Sequence, residues 1–355
     1  KPKPLTKEVF ATLDRVLERD PNHPGANHFY IHAVEQEHPE RGITAADNLR
    51  KKVPGAGHLV HMPSHIYIRV GRYHDGSLAN ELAIEADNDY VTQCRQQGIY
   101  PVAYVPHNHH FLWATTTMEG RSADAIAAAR HTAGHVNESL IREPQLVALQ
   151  HFSSIPYYAY VRFGKWDEIL GEPAPDADLL YPTAVWHYAR GIAYARKGQL
   201  AEANQELRLV RKIASDPALD ELKIWGLNPT SELAKIAALV LSAELDAARG
   251  KSKQAVVSLR KAIAIEDALI YGEPPDWFYP VRHNLGAILL DAGRPKEAER
   301  VYRADLARFP GNGWSLMGLA QSLRAQGKTK QADEVQAEFE DAWKYADVEI
   351  TASRI

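Results

Sequence analysis

Glycine punctuates this chain at intervals that leave room for little except pairs of helices. Candidate turn glycines stand at 71, 120, 164, 198, 250, 293 and 327, and the gaps from 164 to 198 and from 293 to 327 are both 34 residues. Between them apolar residues recur at three- and four-residue spacing, the period of an amphipathic helix rather than a strand. The clearest unit is Arg282 to Pro310, RHNLGAILLDAGRPKEAERVYRADLARFP. It reads as a helix, a short turn at Gly293-Arg294-Pro295 and a second helix that stops before Pro310, with the small residues Gly286 and Ala298 where two helices must approach closely. The same layout recurs at Tyr188–Pro217 and Gly318–Ala342. One compact core for 355 residues would sit at the upper size limit, whereas helix pairs stacked in a row bury their faces against their neighbours at any length. The expectation is an all-α superhelix with essentially no strand.

These units resemble the tetratricopeptide repeat (TPR) family, in which a small residue, Tyr or Leu, Gly, Ala and Pro follow one another at this spacing and the period is 34 residues. The other gaps, 49, 44, 52 and 43 residues, imply insertions between repeats. A repeat without its turn glycine fits 24–56, with His38 in the glycine slot, which makes about eight helix-turn-helix repeats. The reading divides the chain into a leading helix at 1–23, the remnant of an earlier repeat; His-rich repeats at 24–140 with an insertion near 89–106; central repeats at 141–235; and C-terminal repeats with a tail at 236–355. Longer bacterial TPR proteins carry further repeats ahead of such a segment, so the resemblance implies a C-terminal portion, and a start at Lys1 reads as processed or excised. TPR arrays are mostly scaffolds that bind peptides in a concave groove, but a fold does not fix a function.

A net charge of −4 offers no positive field for nucleic acid or an anionic membrane. The most apolar stretch, Ile236 to Leu245, is too short to span a bilayer and contains Ser242 and Glu244, so no membrane insertion is expected. The single cysteine, Cys94, allows neither an intrachain disulfide nor a thiolate-rich metal site, and reads as a bystander. A soluble protein of cytoplasm or periplasm fits equally. HExxH, GxSxG, Walker and Rossmann patterns are all absent, which disfavours zincin proteases, serine hydrolases and nucleotide-binding enzymes.

The histidines are where the sequence departs from an ordinary scaffold. Counted back from the turn glycine or its equivalent, His28, His61, His110 and His283 stand at ten, His32 and His65 at six, and His58, His107 and His151 at thirteen. The family resemblance implies that these first-helix slots line the inner, concave surface, with Glu35 in a fourth such slot. Nine of the 16 histidines therefore share three slots per repeat, where chance would place about one. A lone histidine on a helix is ordinarily a satisfied polar residue, but packing does not require imidazole at matched slots in neighbouring helices.

Imidazoles with a carboxylate and no thiolate suit Zn, Cu(II), Ni or non-haem Fe, and argue against Ca or iron–sulfur chemistry. The primary site is His28, His32, His61 and His65, with Glu35 as fifth ligand or general base. His58, His107, His110 and His151 would form a second site or the wall around an open coordination position. Pro63, between His61 and His65, is expected to kink their helix. Arg69 and Arg162, each two residues before a turn glycine, could hold an anionic substrate, or be ordinary salt-bridged residues. The segment Gly98–Pro106 reads as a lid over the groove or as a plain connector.

Three functions compete: a metalloprotein acting on a small molecule, a peptide- or protein-binding scaffold without metal, and a metal carrier without turnover. The position of His283 bears on the choice. If the superhelix closes, His283 would face the early histidines, with Trp277–Tyr279 capping the cavity. If it stays open, the slightly preferred reading, His283 is an isolated polar residue in a groove.

Overall fold

The computed structural model describes residues 5–94, 104–277 and 279–355. The expected lid at 98–106 therefore lies largely outside the described residues, as does Phe278. A leading helix, α1 (Thr6–Arg19), precedes eight stacked pairs among the described residues. The early ones are α2 (Pro24–Val34) with α3 (Ile43–Leu49), then α4 (Gly57–His61) and α5 (Pro63–Val70) with α6 (Tyr73–Cys94), then α7 (Val105–Met118) with α8 (Ser122–Gly134). In the middle lie α9 (Val147–Arg162) with α10 (Trp166–Gly171) and α11 (Leu180–Arg196) with α12 (Leu200–Ala214). The short α13 (Ala218–Glu221) precedes α14 (Thr230–Ala248) with α15 (Ser252–Ala268), α16 (Val281–Asp291) with α17 (Pro295–Arg308) and α18 (Gly313–Arg324) with α19 (Thr329–Ala342). One departure from the all-helical expectation is a minimal hairpin that pairs Lys223–Ile224 with Asn228–Pro229.

Every expected turn glycine adopts the left-handed conformation, with φ between 67° and 80°, that ends one helix and frees the chain to start the next. Pro63 breaks the first helix of its repeat at Met62, so α4 and α5 are separate segments, and the proline occupies the first turn of α5, where its missing N–H costs nothing. One apolar core runs from Ile68 to Ile350, while a smaller one joins α1 to α5 through Phe10, Tyr30, Ile31 and Ile66.

The superhelix closes on itself. The turn at Gly71 lies against Pro310 so tightly that a Cβ there would stand 2.5 Å from the Pro310 carbonyl oxygen. Trp343 covers Gly120 in the same way and Ile355 covers Gly164. Trp314 Nε1 donates to the Thr117 carbonyl at 2.9 Å, and the Asp347 carboxylate accepts from Ser122 N at 2.6 Å and Ala123 N at 2.9 Å, capping α8. The turns at 198, 250, 293 and 327 have open space instead. The last repeats and the tail thus use the first three turns as their docking edge.

Candidate metal centre

Six of the predicted histidines converge where α2, α4, α5 and α7 meet. His28 and His32, one turn apart on α2, share a face, and Glu35 ends that helix. His58 and His61 come from α4, His65 from α5 and His107 from the first turn of α7. Two groups result, His61–His65–His107 and His28–His32–His58, and in each one donor atom per residue lies within 4.8 Å of the other two.

The first group is the more constrained. His61 is completely buried. Its Nδ1 lies 2.7 Å from Asn80 Oδ1, and the Asn80 amide nitrogen is already committed to the Gly76 carbonyl at 2.7 Å. The Asn80 oxygen must therefore accept, His61 Nδ1 carries the hydrogen, and Nε2 presents a lone pair. That lone pair points at His65 Nε2, 3.0 Å away. His65 Nδ1 is held in turn by two carboxylates, Glu273 at 2.8 Å and Glu35 at 3.2 Å. Phe111 floors the group, with its ring centre 4.7, 4.5 and 4.9 Å from those of His61, His65 and His107.

Electrostatics separates the rings. Burial holds His61 well below the usual imidazole range and His107 at about 3, reinforced by neighbouring imidazoles. Burial also disfavours a charged His65, but the hydrogen bonds it donates to Glu273 and Glu35 outweigh it and push the ring to about 10. Glu35, despite burial, is drawn down to about 2 by hydrogen bonds from His32 and His65, whereas burial raises Glu273. The two carboxylates thus favour a charged His65, whose Nε2–H is placed to donate to the His61 Nε2 lone pair.

Other predicted residues lie elsewhere. His110 and His151 join neither group among the described residues. His110, three positions after His107, lies against α9: it stacks on Trp113 and meets His151 with ring centres 5.5 Å apart. His151 Nδ1 pairs with the Tyr181 hydroxyl at 2.9 Å, and both histidines keep a buried Nε2 without a partner. Arg69 does line a cavity of about 280 Å³ on the seam between early and late repeats, beside Tyr271, Glu273 and Trp277.

Arg162, expected beside Arg69 as an anion holder, and His283, expected either to face the early histidines or to stand alone in a groove, instead meet each other. The Arg162 guanidinium is 3.0 Å from His283 Nδ1 and lies 3.4 Å over the Trp314 ring, while His283 Nε2 meets Asp305 Oδ2 at 3.0 Å. Both are sealed inside the closing interface. The residue that does cross from the late repeats to the early histidines is Glu273. It sits in the irregular stretch before α16, outside every repeat slot, so periodicity gave no signal for it. Asn80 lies on a second helix, where the inner-slot count does not reach.

A tetratricopeptide-repeat family model matches residues 280–304, which span α16 and most of α17. The pair α16–α17 is thus similar to a tetratricopeptide repeat, and the other stacked pairs share its helix-turn-helix layout. No curated protein matches the chain's sequence. Among solved structures it is similar to an assembly chaperone of RpL4 (Acl4, residues 1–338), at 12% identity and a TM-score of 0.30, covering 93% of this chain and 99% of that one. A structure of Naa15/Naa10 bound to HypK-THB matches at 19% identity and a TM-score of 0.29, over 96% of this chain and 42% of that one. The APC/C hetero-tetramer Cut9–Hcn1 matches at 13% identity and a TM-score of 0.35, covering 96% and 76%.

Proposed function

We propose that this protein binds a first-row transition metal ion between His61, His65 and His107 and that this ion is its working centre. The observation that carries the reading is the meeting of His61 Nε2 and His65 Nε2 at 3.0 Å while an oxygen acceptor holds each ring's Nδ1. A metal-ligating imidazole characteristically has its second nitrogen tied to a carboxylate or carbonyl, which fixes the ring's tautomer and direction. Here Asn80 serves His61, and Glu273 with Glu35 serves His65. Three imidazoles without thiolate fit Zn, Cu(II), Ni or Fe, and three protein ligands leave a coordination position open. An ion so held would supply Lewis acidity or lower the pKa of a bound water.

The protein's own residues define what could approach. Glu35 is an orienting carboxylate in this reading, since one held near 2 is a weak base. Arg69, over the Tyr271 ring at 5.1 Å, offers a cation to a small anionic molecule in the seam cavity. The closed superhelix favours a small ligand over an extended peptide.

Elemental analysis of untagged protein, followed by titration of the metal-free form, tests the reading. The expected result is near-stoichiometric binding of one of these ions, weakened about tenfold or more by His61→Ala. Affinity no tighter than about micromolar for Zn, Cu or Ni would refute it and return the array to the peptide-binding role its repeat family implies.

A further inference from the structure

We infer that a second ion of the same class binds between His28, His32 and His58, on the solvent side of the first, with Glu35 linking the two positions. This deepens the metal reading and depends on it. The rings of His28 and His32 are 5.0 Å apart and those of His28 and His58 are 5.1 Å apart, so two helices supply the three donors. A second, independent observation points to a ligand: His28 Nε2 and His58 Nδ1 are both buried and have no hydrogen-bond partner. Buried polar atoms are nearly always satisfied, and two orphaned imidazole nitrogens in one triad call for a shared partner that can accept lone pairs. A cation does so. His32 is oriented through Nδ1 by Glu35 at 3.3 Å, and the same carboxylate oxygen lies 3.2 Å from His65 Nδ1. One side chain therefore backs a ligand in each group.

The two positions are adjacent but unequal. The rings of His32 and His65 approach to 5.4 Å and those of His58 and His61 to 6.2 Å, which places both ions within reach of one small ligand. The inner position has two buried rings, His61 and His65, and the half-buried His107, whereas the outer has none buried and its His32 side chain is 41% exposed. Water competes for donors in the outer position, and its rings must be ordered as the ion binds, so it should fill second and release first. All-imidazole donors select Cu(II), Zn or Ni over Mg or Ca there as well.

The experiment is a Cu(II) titration of full-length, untagged, metal-free protein near neutral pH, followed by calorimetry and electron paramagnetic resonance. The expected result is two equivalents in two steps, with dipolar broadening of the first signal as the second fills. The double variant His28→Ala, His58→Ala should lose only the weaker equivalent, and His61→Ala, His107→Ala only the tighter. A single equivalent in the wild type overturns the second site while leaving the first intact. A single equivalent lost with either pair means that six histidines share one ion, which also overturns it. No binding at all sinks both readings. The wild-type stoichiometry decides the matter even if a variant fails to fold.

Discussion

His61 and His283 hold the same place in their repeats, ten residues before the turn glycine, and both are completely buried. Their surroundings differ in kind. His61 meets other imidazoles, and its outward nitrogen is a lone pair with a second ring facing it. His283 is wedged between Arg162 and Asp305, with both nitrogens committed: Nδ1 accepts from the guanidinium and Nε2–H donates to the carboxylate. Asn312 and Ser315 donate to the same Asp305 oxygen at 3.2 and 2.7 Å, while Asp305 Oδ1 and Arg162 Nε stay buried without a hydrogen-bond partner. The first pocket has donor capacity to give to a ligand. The second spends it on joining α9, α16, α17 and α18. A shared repeat slot gives these two histidines the same burial, and their neighbours across the superhelix decide whether either can bind anything.

Acid should produce the largest effect, because it attacks what the two pockets share. Burial lowers the pKa of both His61 and His283, and holds His58 at about 4 and His107 and His151 at about 3. A histidine whose folded value lies below its unfolded value near 6.5 binds fewer protons folded than unfolded. Its stabilisation is complete above 6.5 and is lost as pH falls toward the folded value, by up to about 1.4 kcal/mol per pH unit for a fully buried ring such as His151. His65, raised to about 10, has the opposite sign and loses stabilisation as pH rises from 6.5 toward 10. Metal-free protein followed by circular dichroism should therefore unfold cooperatively between about pH 6 and 4. An unchanged melting temperature across that range would contradict the burial of these rings.

Asp305→Ala should separate the pockets. Removing the carboxylate strands Arg162 and His283 in a dry interior, at a cost of about 3–5 kcal/mol in denaturant unfolding. Metal affinity of the folded variant should match the wild type. A parallel loss of metal would mean that the two clusters act as one.

His61→Ala should do the reverse on a smaller scale. Chelator competition should show an affinity loss of about tenfold, close to 1.4 kcal/mol, while the same change in Asp305→Ala is absent. The smallest effect is expected from His131→Ala. That ring stacks on His109 at 5.0 Å on the outer side of the array, so metal affinity should not change and stability should shift by less than about 0.5 kcal/mol. A metal defect there would show that the inner-slot register is not what selects the ligands.

The sequence by itself determined the repeat. Turn glycines, the three-and-four apolar spacing and the break at Pro63 are local signals, read within one or two helical turns, and each appears in the structure as its spacing predicts. The shared register of His28, His32, His58, His61, His65 and His107 was legible for the same reason, since helix periodicity fixes which positions share a face, while the inward direction of that face was implied only by the family resemblance. What faces that side was not legible. Glu273 reaches His65 across 208 residues, and Trp314 reaches Thr117 across 197, because small rotations between successive pairs add up until the ends meet. Insertions of unequal length change each of those rotations, and no residue pattern within a repeat records their sum. Tertiary structure alone therefore decided that the superhelix closes, that His283 seals the seam, and that a carboxylate from the late repeats stands behind the early histidines.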